Sequence, residues 1–131
     1  MTGRGRQAVR AVAILDLAMT LPLAVPVLGE RWLALLLSGF GLLGDASALL
    51  PLSMAAVVGC HLSGVLGALW NGIRVWRPEP WLAATDAVGR IVVAVLLLYL
   101  LLGRGAPPAL AIFVATELVG AAIAGAALRR R

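Results

Sequence analysis

Residues 81–102 read WLAATDAVGRIVVAVLLLYLLL, an apolar run that contains two charged residues, Asp86 and Arg90. The run is long enough to cross a bilayer as a helix, which needs about 20 residues. An acid and a base four residues apart lie on one face of a helix and can form a pair. Charged side chains are costly in hydrocarbon and usually face the protein interior. The stretch therefore predicts a membrane-spanning helix whose charged face is turned toward other helices.

Three further apolar runs are long enough to span a membrane, and the composition agrees with that class. The chain of 131 residues is 62% hydrophobic, against roughly 45–50% for soluble domains. The run at 32–44 is too short to span and rich in glycine, which favours an interfacial or re-entrant segment. We expect an all-α integral membrane four-helix bundle, with this short segment between the first two spans. The whole chain, residues 1–131, is expected to form a single transmembrane domain, with spans at about 8–29, 46–73, 81–102 and 107–128.

Two prolines, Pro22 and Pro26, interrupt the first run. Each lacks an amide hydrogen and leaves the carbonyl four residues earlier without its helical partner, here those of Ala18 and Pro22. In lipid such carbonyls need another donor. Two interpretations stay open: a kinked helix, or a contact between the freed carbonyls and an ion or substrate.

The distribution of arginine predicts the orientation in the membrane. With four spans, only Arg31 and Arg104 fall on one side, and eight arginines fall on the other. An excess of basic residues marks the cytoplasmic side, so both termini are expected in the cytoplasm of a bacterial-type inner (plasma) membrane. Because the arginines lie at the ends of apolar runs, the net charge of +5 predicts orientation and no nucleic-acid partner. The eight on the basic side are Arg4, Arg6, Arg10, Arg74, Arg77, Arg129, Arg130 and Arg131.

Polar residues inside the spans are the candidates for a binding or charge network. At 1.5 Å per helical residue they lie roughly 8–18 Å from the cytoplasmic helix ends. Three acids against one arginine give a formal −2, which a buried site tolerates only if acids are protonated or a proton or cation balances them. That imbalance favours a functional site, and the alternative is polar glue between helices. The candidates are Asp16, His61, Asp86, Arg90 and Glu117.

Small residues recur at helical spacing and predict close helix packing. Small side chains allow two helix backbones to approach each other in a membrane. Gly59, Ser63 and Gly67 recur every four residues, and Gly120 and Ala124 lie near Glu117 on its helix.

No cofactor and no metal are predicted. Cys60 stands beside His61, but metal ligation needs further ligands from elsewhere in the chain. Haem held by His61 of two copies is disfavoured because a single histidine is its only support. The sequence has no CxxC, HExxH, P-loop, GxGxxG or GxSxG motif, so an enzyme is the less favoured class. An intramembrane enzyme built from scattered residues stays open as a third class.

The chain is similar to DoxX-like proteins in size, span count and apolar character, and Asp16 is comparable in place to the first-span acid of small multidrug-resistance transporters. Neither likeness reaches a motif, so no residue role is carried over. We expect a pocket in the cytoplasmic half that binds or transports a small molecule, cation or proton. The alternative is a structural or assembly subunit of a larger complex. The expected partners are the lipid bilayer and either further copies of the chain or a membrane complex.

Overall fold

The computed structural model describes residues 1–129, and over that range it is all-helical without strands. Four of its five α-helices are long and apolar enough to cross a membrane, the first of them together with the turn that follows it. The all-α class with four helices of spanning length is thereby confirmed. The helices are α1 (Gly3–Thr20), α2 (Leu28–Leu37), α3 (Met54–Trp76), α4 (Pro80–Gly103) and α5 (Leu110–Arg129).

The starts of the long helices follow from local sequence. The hydroxyl of Thr2 accepts a hydrogen bond from the Gly5 amide at 3.2 Å, and that of Ser53 accepts one from the Ala56 amide at 3.2 Å. Such caps satisfy amides that have no partner within the helix. Helix α4 instead begins at Pro80, where the missing amide hydrogen costs nothing.

The end of α1 is set by proline chemistry. Pro22 cannot continue the helix, and the chain passes into a 3-10 turn, Leu21–Ala24. The Pro22 carbonyl accepts a hydrogen bond from the Val25 amide at 3.1 Å, so one of the two freed carbonyls is satisfied locally. Val27 then adopts a left-handed φ of 67°, and α2 begins at the next residue. The prolines therefore separate two helices. A kink within one continuous helix, one of the two interpretations of the sequence, is not what the structure shows.

The short segment at 32–44 is part helix and part irregular chain. Its first half belongs to α2, which folds back on α1 through a hydrogen bond from Trp32 Nε1 to the Met19 carbonyl at 2.9 Å. Beyond α2, Gly39 and Gly41 have φ of 59° and 81°, a conformation that glycine adopts without strain.

Asp45 closes this segment and caps the second 3-10 turn, Ala46–Leu49. Its carboxylate accepts hydrogen bonds from the amide and the hydroxyl of Ser47 at 2.9 and 2.7 Å. These bonds stabilise the charged form and lower the pKa of Asp45 below its usual value.

The long helices pack with small residues inside and large apolar residues outside. Helix α4 lies along α5, while α1 packs against α3 and α5. Val9, Ala83 and Ala127 form a small apolar core where α1, α4 and α5 meet. Large side chains such as Leu102 are turned outward and are 82% exposed. Small residues at helix contacts and apolar ones on the outer surface are typical of helices that meet lipid.

Candidate functional site

Arg90 joins three helices through its guanidinium. On its own helix, Nε donates to Asp86 Oδ2 at 2.8 Å, the pair expected from their spacing of four residues. Nη1 donates to Glu117 Oε2 on α5 at 3.1 Å, and Nη2 pairs with Asp16 Oδ2 on α1. The structure thus brings together four of the five polar candidates around one arginine.

Arg74, on α3, is a second arginine at the same place. Its side chain is 1% exposed, with Nη2 lying 2.7 Å from Asp86 Oδ2 and Nη1 lying 3.1 Å from Asp16 Oδ2. Nη1 also donates to Asn71 Oδ1 at 2.8 Å. The sequence predicted Arg74 as an orientation signal, and the structure adds that its side chain pairs with acids of α1 and α4.

We call Asp16, Arg74, Asp86, Arg90 and Glu117 the charge cluster. It holds three carboxylates and two guanidiniums, so its formal charge is −1 if all groups are ionised. The sequence count of −2 omitted Arg74 and is corrected accordingly. One negative charge is still without a counter-charge inside helices of spanning length.

Polar neighbours hold the edges of the charge cluster in place. Trp70 Nε1 donates to Asp86 Oδ1 at 3.3 Å, and Asn71 Nδ2 donates to the Thr20 hydroxyl at 3.5 Å. That hydroxyl itself donates to the Asp16 carbonyl at 2.8 Å. None of these three polar residues was a sequence candidate. Asn71 could have been found, because it is a polar residue inside the apolar run at 46–73.

Burial is uneven within the cluster. The arginine side chains and that of Asp86 are at most 8% exposed, whereas those of Asp16 and Glu117 are 23% and 24% exposed. Within residues 1–129, Arg74 Nε is a buried donor without a hydrogen-bond partner. The arrangement therefore has a buried centre and two partly exposed carboxylates at its margin.

Gly120 makes room for this arrangement. A Cβ atom on residue 120 would lie 2.6 Å from Arg90 Nη1 and 2.8 Å from Arg90 Cζ. A side chain there would displace the guanidinium from α5. Ala124, one turn further along, is buried at 3% exposure.

On α3 the closely packed face is rotated relative to the predicted one. Gly59 has open space around it and Ser63 is exposed. Gly64 instead lies against the backbone of the turn after α1, and a Cβ on Gly67 would lie 2.9 Å from Thr20 Cβ. The glycines 64 and 67 share a face with Asn71 and Arg74, so the face that packs on α1 is also the face that carries the buried polar groups.

His61 lies apart from the charge cluster. Its Nδ1 donates to the Leu23 carbonyl at 2.7 Å, and its Nε2 lies 3.8 Å from Glu30 Oε1. Thirteen residues separate it from Arg74, about 20 Å along a helix. The break after α1 leaves the Leu23 carbonyl free to accept this hydrogen bond from α3. A carbonyl near the prolines therefore does find a donor on another helix, but it belongs to Leu23 and not to Ala18 or Pro22.

Within residues 1–129, no group of three or more His, Cys, Asp or Glu side chains is arranged to hold a metal ion. No family model matches the chain, and no curated protein and no solved structure matches it either.

Proposed function

We propose that the chain is a small multi-pass protein of a bacterial-type inner membrane, folded as a four-helix bundle. Its charge cluster binds a proton or small cation, which the protein either holds or transports. The observation that supports this is the surplus carboxylate. Three acids converge on two arginines between four helices, and two of those acids remain about one quarter exposed. Charge in a membrane interior is expensive, so the surplus is expected to be neutralised by a bound proton or cation.

Glu117 is the residue to which we assign this exchange. Within residues 1–129 it pairs with Arg90 alone, at 3.1 Å, whereas Asp16 and Asp86 each contact both arginines. Losing its charge would leave two carboxylates balanced by two guanidiniums. The two arginines would then stay paired with Asp16 and Asp86 while Glu117 binds or releases a proton or cation.

Glu117→Gln tests the proposal, because it mimics a permanently neutral Glu117. We expect the variant to fold as the wild type does, but to lose a carboxyl infrared band that changes with pH or added cation in reconstituted wild-type protein. Ion flux into vesicles should fall with it. Asp45→Asn is the matched control, since Asp45 is exposed and, within residues 1–129, its carboxylate hydrogen-bonds to Ser47 alone, and asparagine caps helices equally well.

A structural or assembly subunit is the second candidate, and the burial of Arg74 and Arg90 favours it. Each is buried and joins three helices, as expected of charges that lock a bundle. Under this alternative, Glu117→Gln would leave infrared spectra, flux and any cellular phenotype unchanged. That result would contradict proton or cation binding and favour the subunit.

The proposed orientation has its own test. A reporter that is active only in the periplasm should be inactive when fused at Arg77 or Arg131, and active at Gly41 or Gly105, because basic segments stay in the cytoplasm. Activity at the C-terminal fusion would contradict the model of four spans with both termini inside.

A further inference from the structure

A cavity of about 550 Å³ lies at the end of the molecule where α1 begins and α3 connects to α4. It is separate from the charge cluster, and its volume falls in the range of small-ligand sites, about 300–1,000 Å³. Arg6 and Arg10 line it from α1, and Arg77 and Glu79 line it from the connection. Three guanidiniums face one carboxylate there, so the cavity is electropositive.

These arginines differ from those of the charge cluster in having donors to spare. Arg10 uses Nε to donate to the Val75 carbonyl at 3.0 Å, and Arg77 lies 5.1 Å from the Trp76 ring centroid. Within the described part of the chain, no ion pair involves Arg6, Arg10 or Arg77. Each guanidinium presents five N–H donors, so most donors around the cavity are available to an anion.

The helix starts around the cavity add to its positive character. Gly3 and Pro80 both line the cavity, and they are the first residues of α1 and α4. Helix N-termini carry a partial positive charge. Thr2 caps the Gly5 amide of α1, whereas Glu79, which precedes α4, makes no side-chain capping hydrogen bond, so the amides that follow Pro80 in the first turn of α4 have no side-chain cap.

Exposed tryptophans place the cavity at the level of the membrane surface. Trp76 lines the cavity and is 74% exposed, and Trp81, in the first turn of α4, is 61% exposed. Tryptophan collects at the boundary between lipid and water, where the headgroups lie. A ligand in this cavity therefore meets the headgroup layer before it meets bulk solvent.

We propose that this cavity binds the phosphate of an anionic phospholipid from the leaflet on the side of both termini. Guanidinium groups suit phosphate because several N–H donors can bind its oxygens together. Basic residues next to spanning helices also attract anionic lipid headgroups. The site involves none of the cluster residues, so it stands or falls independently of proton or cation binding.

The test is quenching of tryptophan fluorescence by brominated phosphatidylglycerol in phosphatidylcholine vesicles that contain the full chain. The double variant Arg6→Gln/Arg77→Gln should lower the relative affinity for phosphatidylglycerol by roughly thirtyfold, as expected for two basic residues at a membrane surface. Arg10→Gln should lower it less. Arg104→Gln is the matched control, because Arg104 is exposed at the other end of α4, and it should keep the wild-type preference.

Three outcomes would overturn the proposal. The double variant could keep the wild-type preference, or Arg104→Gln could lose as much, which would reflect overall charge alone. Inorganic phosphate in the buffer could displace the lipid completely, which would identify a soluble phosphate as the ligand. Failure of inorganic phosphate to compete, together with the loss in the double variant, supports a lipid headgroup.

Discussion

Replacing Arg74 with methionine is expected to lower the free energy of unfolding by about 3–5 kcal/mol, the cost typical of removing one partner from a buried ion pair. Arg74 is 1% exposed and contacts Asp16 and Asp86 at 3.1 and 2.7 Å. Without it, three carboxylates share Arg90, and Asn71 loses its buried donor. Reversible unfolding in detergent micelles or bicelles would measure the change.

Arg104→Met is the control for this experiment, since the exposed Arg104 has no ion pair within residues 1–129. It should change stability by no more than about 0.5 kcal/mol, as surface substitutions usually do. Adding Asp16→Asn to Arg74→Met restores a formal charge of −1 and should recover part of the loss. Equal stabilities for Arg74→Met and Arg104→Met would show that the buried ion pairs of Arg74 contribute nothing to the free energy of unfolding.

Gly64→Ala should prevent stable folding, although it adds one methyl group. A Cβ on residue 64 would lie 2.8 Å from Ala24 Cα, with the Leu23 carbonyl carbon and the Ala24 amide nitrogen closer still. Overpacking against side chains costs about 1–3 kcal/mol. We expect a larger loss here, because the obstacle is backbone and cannot change rotamer. Yield of folded protein and unfolding in micelles are the measurements.

The matched control is Gly59→Ala, on the same helix and with nothing within 4 Å of the added Cβ. Alanine favours a helix over glycine by about 1 kcal/mol in both variants. Gly59→Ala should therefore be neutral or stabilising, and the difference between the two variants isolates the contact with the turn. Similar stability for both would mean that α3 and this turn do not touch in the membrane.

Much of the charge cluster could be predicted because cost alone places charges inside a membrane protein. Asp16, Asp86, Arg90 and Glu117 each interrupt an apolar run, and the interior is the place where such groups find partners. Helical rise places all four within the cytoplasmic half of the spans or near their midplane. Depth also groups His61 with them, but depth says nothing about the direction in which a side chain points. In the structure it faces Leu23 and Glu30.

Arg74 could not be recognised in the same way, because it stands at the end of an apolar run where arginine usually marks the membrane surface. Its role depends on how far α3 continues and on which helix faces its last turns, and both are tertiary properties. The break after α1 was partly visible in Pro22. The left-handed Val27 that completes the break has no local sequence signal, since valine rarely adopts that conformation.

The charge cluster also bears on how the chain is made. Asp16 is separated by 58 residues from Arg74 and by 74 from Arg90, so α1 is synthesised before either partner exists. An aspartate at the centre of an inserting helix costs about 2.5–3.5 kcal/mol. Helix α4, in contrast, brings Asp86 and Arg90 as a neutral pair and can enter lipid by itself. Helix α1 is therefore synthesised before α3 and α4, on whose arginines its final position depends, so assembly must continue after α1 is made.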